Sequence, residues 1–97
     1  MATRNSDAAM PSVSIDNEAS SNASVVEVRA PDSVGVLYRI SKALADVGLD
    51  IRHARIQTLG HEVVDTFYVR TASTGKVTDA FHLGEVERAL LHAVSEG

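Results

Sequence analysis

The residues best suited to bind a ligand lie close together in "APDSVGVLYRI", residues 30–40. Pro31 ends a run of β-forming residues and a helical pattern of apolar residues begins at Val36, which places a strand-to-helix turn between them. The first N–H groups of a helix have no partner within the helix and carry the positive end of its dipole, so a carboxylate binds readily there. Asp32 could hold an ammonium group, and Gly35 allows the backbone to approach a ligand closely. This combination suits the zwitterion of an α-amino acid.

A simpler interpretation explains the same residues. Asp32 or Ser33 could supply the side-chain oxygen that caps the first turn of the helix, with no ligand involved. Judged on the residues alone, this second interpretation is favoured over ligand binding.

Histidines and carboxylates elsewhere in the chain do not have the spacing of a metal or catalytic site. The histidines form no HxH or HExxH motif, and the chain has no cysteine. The closest carboxylate pairs are Asp46 with Asp50 and Glu85 with Glu87, and side chains two apart on a helix do not face each other. No nucleophile stands beside a base in a recognisable motif. The four histidines are His53, His61, His82 and His92. We therefore expect no catalytic residue, no metal and no cofactor.

Composition narrows the class of partner. The chain has 97 residues, 44% of them apolar, and a net charge of −4. This charge and the lack of a basic stripe argue against nucleic-acid binding. No apolar run approaches the 18 or more residues, roughly, of a membrane span, and the absence of cysteine fits a reducing cytoplasm. A small molecule or another protein surface is the expected partner.

Hydrophobic periodicity predicts the order β-β-α-β-β-α after a flexible arm at residues 1–10. "SVSID" (12–16) and "SVVEVRA" (24–30) alternate as strands, with Val26 and Val28 on one face and Val25 and Glu27 on the other.

A helix is predicted from Val36 to Val47, followed by Gly48 as a typical residue after a helix C-terminus. Residues 49–71 read as a hairpin that turns at "LGHE", with a bulge near Arg52-His53.

The second helix is predicted at residues 78–95, with Thr78 as N-cap. Its inward residues are expected to be Phe81, Val86, Ala89, Leu90, Ala93 and Val94.

These elements predict an α+β, ferredoxin-like fold in which an antiparallel sheet carries two helices on one face. The chain ends after the second helix, so the usual last strand must be replaced. "SVSID" can take that place by pairing antiparallel with the strand at 24–30. Apolar residues on both faces of the second hairpin strand also predict a dimer.

The stretch "VVEVRAPDSVGVLYRISKALADVGLDIRHARIQTLGHEVVDTFYVRT" resembles an ACT domain, a small-molecule-binding regulatory module. The D-x-x-G turn, the "ALADVGLDI" passage and the hairpin carry the resemblance, which extends over roughly residues 11–95 and makes residues 11–97 one domain. It is most similar to the C-terminal ACT domains of the bifunctional uridylyltransferase/uridylyl-removing enzymes of PII nitrogen signalling.

The resemblance implies a site and a ligand. ACT domains bind small molecules between two such domains, at the turn after the first strand and at the start of the second. Glutamine is the ligand implied by the uridylyltransferase relationship. Family members usually have "DRPG" where this chain has "DSVG", and often an Asn where it has Asp50. The implied binding residues are Asp32, Ser33, Val34, Gly35, Val36, Leu37, Asp50 and Ile51.

Two hypotheses of different class follow from the sequence. In the first, the chain is an allosteric amino-acid sensor that pairs with a second copy or a second ACT domain. In the second, it is a ligand-free structural module that dimerises or packs against a catalytic domain. The catalytic domains of the parent enzyme are absent from the sequence, so we expect no enzymatic activity.

Overall fold

The protein is described by a computed structural model at residues 11–31, 34–72 and 75–95. The predicted arm at residues 1–10, and Asp32 and Ser33 in the turn, lie outside the described residues. The predicted order of elements is confirmed: β1 (Ser12–Asp16), β2 (Ser24–Pro31), α1 (Val36–Asp46), β3 (Leu49–Leu59), β4 (Glu62–Thr71) and α2 (Ala80–Ser95).

The four strands form one antiparallel sheet in the order β1-β2-β4-β3. β1 pairs with β2 from Ser12 opposite Arg29 to Asp16 opposite Val25. The N-terminal strand therefore fills the position beside β2, as predicted, and gives β2 a hydrogen-bonded neighbour on each side.

The strand register separates an apolar face, covered by the two helices, from an open face. Val26 and Val28 point towards the helices, while Val25 and Glu27 lie on the open face, as predicted. Burial of apolar surface on the helix side is the main favourable term for a fold of this size. The largest fully buried apolar side chains are Ile40, Leu44, Leu90, Val26, Val28, Val69, Val77 and Val86.

The hairpin contains both predicted irregularities. Gly60 and His61 form a two-residue connection between β3 and β4. In β3, Ile51 lies opposite Val69 and His53 lies opposite Tyr68, so Arg52 is an extra residue. This bulge changes the alternation of side chains along β3.

The ends of α1 agree with the sequence at the C-terminus and differ at the N-terminus. Gly48 follows the helix with φ +81° and its N–H donates to the Ala45 carbonyl at 3.0 Å, as a residue after a helix C-terminus should. At the other end the N-cap is Gly35, not Asp32 or Ser33 as predicted. Gly35 adopts φ +77°, a left-handed conformation that glycine reaches at little cost, and it has no side chain to cap the helix.

Two predictions for α2 were wrong. The helix begins at Ala80, and its cap is Asp79, whose carboxylate accepts a hydrogen bond from the His82 N–H at 3.1 Å; Thr78 does not take this place. Phe81 is 71% exposed. It precedes Val86 by five residues, which is about 140° of helical rotation, so the two side chains point in different directions.

A small polar network joins the loop after β1 to the segment before α2. The Ser24 hydroxyl donates to Asn17 Oδ1 at 2.5 Å and accepts from the Val77 N–H at 2.8 Å, and Asn17 Nδ2 donates to the Val77 carbonyl at 2.7 Å. Ser24 is fully buried, and these bonds compensate for its burial. Within the described residues, neither helix has the length and apolar character needed to cross a membrane.

Candidate amino-acid-binding site

The turn after β2 presents the N-terminus of α1. Pro31 is the last residue of β2, Gly35 is the N-cap, and the Gly35 carbonyl accepts the Arg39 N–H at 3.0 Å as the first bond of the helix. The N–H groups of the first turn have no partner within the helix, and no acidic residue lies in that turn to compensate the dipole. The N–H groups at this end of α1 can therefore donate hydrogen bonds to a carboxylate.

The side chains next to Gly35 differ in what they offer to a ligand. Val34 is 97% exposed and Leu37 is 38% exposed, so both present apolar surface at the turn. Val36 is buried in the core, which leaves its backbone N–H as the group available to a ligand. Asp32 and Ser33 remain predicted binding residues.

Arg39 holds this turn against the second helix, a role that the sequence reasoning missed. Its Nη1 donates to the Val34 carbonyl at 3.1 Å, and its Nε donates to the Ala93 carbonyl near the C-terminus of α2 at 2.8 Å. One half-buried guanidinium thus ties the turn to the last turn of α2. The sequence feature that could have indicated this contact with the turn is the position of Arg39, one helical turn after Gly35.

Asp65 was also missed. It is 1% exposed and lies on the helix face of β4, in the same row as Val63 and Phe67. A carboxyl group in an apolar row of a strand is the signal that could have identified it, because buried charges require a specific environment.

Asp50 and Ile51 lie at the start of β3. Asp50 is exposed and its carboxylate is 3.4 Å from Arg52 Nη1, while Ile51 is half-buried against the core. Asp50 pairs with Arg70 near the end of β4, whereas Pro31 pairs with Glu62 at its beginning. The two groups of predicted binding residues therefore lie at opposite ends of the sheet.

One chain cannot close a single site around both groups. They are separated by the length of α1, about 16 Å for 11 helical residues. A free α-amino acid is too short to span that distance. A site that includes both the turn and the start of β3 therefore requires two copies of the domain.

Lys42 and Asp46 form an ion pair on the outer surface of α1. Lys42 Nζ donates to the Asp46 carboxylate at 3.1 Å, and this hydrogen bond, followed by attraction to the same charge, raises the pKa of Lys42. Both side chains of this pair are exposed, at the i and i+4 positions of α1, so the pair contributes little to stability.

His53 and His82 have different partners in the structure. His53 packs its ring against Tyr68, with centroids 5.6 Å apart, and a ring nitrogen of His82 lies 2.9 Å from the Val47 carbonyl at the end of α1. Among residues 11–31, 34–72 and 75–95, no group of three or more His, Asp or Glu side chains is placed to hold a metal ion.

Glycine-to-alanine substitutions at Gly35 and Gly84 should have opposite effects on stability. Gly35→Ala should lower the free energy of unfolding by about 1–2 kcal/mol, because an L-residue is strained at φ +77°. The added Cβ would be 3.5 Å from Arg39 Nη1, an ordinary contact, so the loss comes from the backbone. Gly84→Ala, inside α2, should raise the free energy of unfolding by up to about 1 kcal/mol. Urea unfolding of both variants measures the change in the free energy of unfolding. An increase for Gly35→Ala would contradict the strained conformation inferred for the turn.

Comparison with known proteins assigns this fold and turn to a family. Residues 24–91 match the family described as the ACT domain. Over 86 residues, 89% of this chain, it is 45% identical to a bifunctional uridylyltransferase/uridylyl-removing enzyme of Caulobacter vibrioides. The same enzymes of Azospirillum brasilense and Rhodospirillum rubrum are 40% and 37% identical over the same length. The chain spans about 9% of the length of each of these relatives.

A solved structure supports the fold independently. A protein of unknown function from Galdieria sulphuraria superposes with a TM-score of 0.57 at 23% identity, covering 71% of this chain and 39% of that one. At this identity the likeness concerns the fold alone. The family match, the uridylyltransferase relatives and the four-stranded sheet agree with one another, and the chain belongs to the ACT domain family.

Proposed function

We propose that the chain is a regulatory, non-catalytic module that senses an α-amino acid, glutamine, on behalf of a uridylyltransferase/uridylyl-removing enzyme in bacterial nitrogen regulation. The observation that carries this proposal is the N-terminus of α1, which has Gly35 at φ +77° as its N-cap and, among the described residues, no side-chain cap and no acidic residue in its first turn. The relatives named above supply the enzyme context, and the ligand class follows from the charge of the turn.

The proposed site forms between two copies related by a two-fold axis. β3 is an edge strand of 11 residues, and most of its side chains are exposed. A two-fold axis through the middle of β3 would pair it antiparallel with β3 of the second copy, which satisfies the free edges of both strands. Asp50 of the second copy would then lie near Leu59, the end at which Pro31 and the turn are found.

In this arrangement each end of the ligand has a chemically suited partner. The α-carboxylate accepts hydrogen bonds from the first N–H groups of α1. Asp32 of the same copy and Asp50 of the other both accept hydrogen bonds from the α-ammonium group. Leu37 and Ile51 supply apolar surface around the aliphatic part of the ligand.

Titration calorimetry with L-glutamine tests the proposal. We expect saturable heat with the intact chain and an affinity at least about tenfold weaker for Asp32→Ala, because a charged hydrogen bond contributes about 1.5–3 kcal/mol. Asp16→Ala is the matched control, since Asp16 is an exposed aspartate on β1, at the edge of the sheet opposite β3. Equal loss in both variants would contradict a site at the turn.

The same experiment separates sensing from a purely structural role. One feature favours the structural role: Ser33 and Val34 replace the Arg and Pro of the usual turn, which removes a cation and a fixed φ. If the chain is dimeric in sedimentation equilibrium and binds no glutamine at millimolar concentration, the structural role is the correct one.

A further inference from the structure

Positively charged side chains gather at the corner of the sheet where the loop after β1 approaches the start of β3. Two cavities of about 420 Å³ each meet there and share Arg70 and Asn22. Arg52 and His53 line the first cavity, and Lys76 lines the second. Three of the nine basic residues of a chain with net charge −4 are thus placed around this corner.

The bulge in β3 explains why two consecutive residues face the first cavity. In a regular strand Arg52 and His53 would point to opposite faces of the sheet. Because Arg52 is the extra residue, His53 is brought opposite Tyr68 on the open face, and both residues border the cavity. The irregularity therefore concentrates cationic side chains at one point.

Arg70 stands between the two cavities in a close-fitting position. A Cβ at residue 75 would lie 3.2 Å from Arg70 Nη2 and 3.6 Å from the Asn22 carbonyl oxygen, and Gly75 leaves this space to the guanidinium. Among the described residues Arg70 forms no ion pair within 4.0 Å. The Arg70 guanidinium therefore occupies the space beside Gly75 and has no ion-pair partner among the described residues.

The carboxylate of Asp50 also lies at this corner. Asp50 lies opposite Arg70 in the strand register and is 3.4 Å from Arg52. It compensates one positive charge, so Arg52 and Arg70 together retain one excess positive charge near the shared wall, and Lys76 lines the second cavity. Lys76 also donates to the Asn17 carbonyl at 2.5 Å, which anchors it beside the second cavity.

We propose that this corner binds a phosphate-bearing small molecule, with one anionic group in each cavity beside Arg70. Guanidinium groups donate two parallel hydrogen bonds to phosphate oxygens, which a point charge cannot do. Hydroxyl groups of neighbouring residues add donors around both cavities, and they belong to Ser20, Ser21 and Thr78. The lining of these cavities differs from that of the proposed amino-acid site: Asp50 borders both sites, but no described residue of the turn after β2 lines either cavity.

Amide NMR titration with inorganic pyrophosphate tests the site. We expect saturable shifts at residues 20–23, 52–53 and 76, and a dissociation constant at least tenfold higher for Arg70→Gln. Arg55→Gln is the control, because Arg55 lies on the same open face but lines a different cavity, with Gln57 and Val64. The dissociation constant of the Arg55→Gln control for pyrophosphate should be within twofold of that of the intact chain. Raising the salt concentration should weaken pyrophosphate binding by both proteins.

A second arm identifies the source of the phosphate. If a nucleoside diphosphate binds more tightly than pyrophosphate and also shifts the ring resonances of Tyr68 and His53, the site takes a nucleotide. If the two bind equally, the diphosphate alone is recognised. The absence of saturable shifts with either compound, or equal weakening by Arg70→Gln and Arg55→Gln, would overturn the proposal.

Discussion

Leu44→Ala is expected to lower the free energy of unfolding by about 2–5 kcal/mol, the range for a buried leucine truncated in a packed core. Leu44 is fully buried on the face of α1 that packs against the sheet. The loss combines the transfer of the removed methyl groups and methine with the cavity left behind. A domain of this length has a total stability of about 5–15 kcal/mol, so the variant should unfold at a much lower urea concentration.

Leu37→Ala provides the matched control for this experiment. It is the same substitution on the same helix, but Leu37 is 38% exposed at the edge of the apolar stripe. Its effect should be at least about 1 kcal/mol smaller, because much of the side chain is in water in both states. Equal losses in the two variants, measured by urea unfolding with unchanged slope, would show that the core is centred elsewhere.

A mixture of two inactive variants is expected to recover glutamine binding if the site forms between copies. Asp32→Ala removes a group from the turn, and Asp50→Ala removes one from the start of β3, so each homodimer should lose binding at both of its sites. Refolding the two together at equal concentration should yield mixed dimers in about half of the dimer population. Each mixed dimer has one site with both substitutions and one site with neither.

The mixture should therefore regain about a quarter of the binding sites of the intact chain, with the affinity of the intact chain. The control is Asp32→Ala mixed with Gly35→Val, where both changes lie on the turn and every site in every dimer is damaged. Calorimetry gives the stoichiometry directly. No recovery in the first mixture, or normal binding by Asp50→Ala alone, would rule out the two-copy site.

Most of the fold could be predicted because its signals are local. The two-residue periodicity of β1 and β2, the stripe of α1 and the "LGHE" turn each depend on neighbouring residues, and each was confirmed. The bulge was also visible, since Ile51 and Ala54 differ in apolar phase. The errors occur at helix ends. The N-cap of α2 is Asp79 and not Thr78, because both residue types can cap a helix and residue type alone does not distinguish these neighbours.

The site could be predicted only in part. Gly35 and the positive end of α1 were evident from residue type and position, since a strand-to-helix turn exposes unpaired N–H groups wherever it occurs. Arg39 was not evident, because its partner at the Ala93 carbonyl is 54 residues away in sequence. The cavities around Arg70 were not evident either, because they join residues from four separate segments of the chain.

The sequence by itself determined the type and order of the elements, the apolar face of each and the family to which the turn belongs. Those features follow from short-range periodicity and from the conformations available to individual residues such as Gly35 and Gly48. Only the tertiary structure decided that the turn and Asp50 lie at opposite ends of the sheet, with Pro31 paired to Glu62 and Asp50 paired to Arg70. The reason is that α1 runs antiparallel to β2 and returns the chain to the far end of the sheet before β3 begins. An amino-acid site that uses both therefore belongs to a pair of domains.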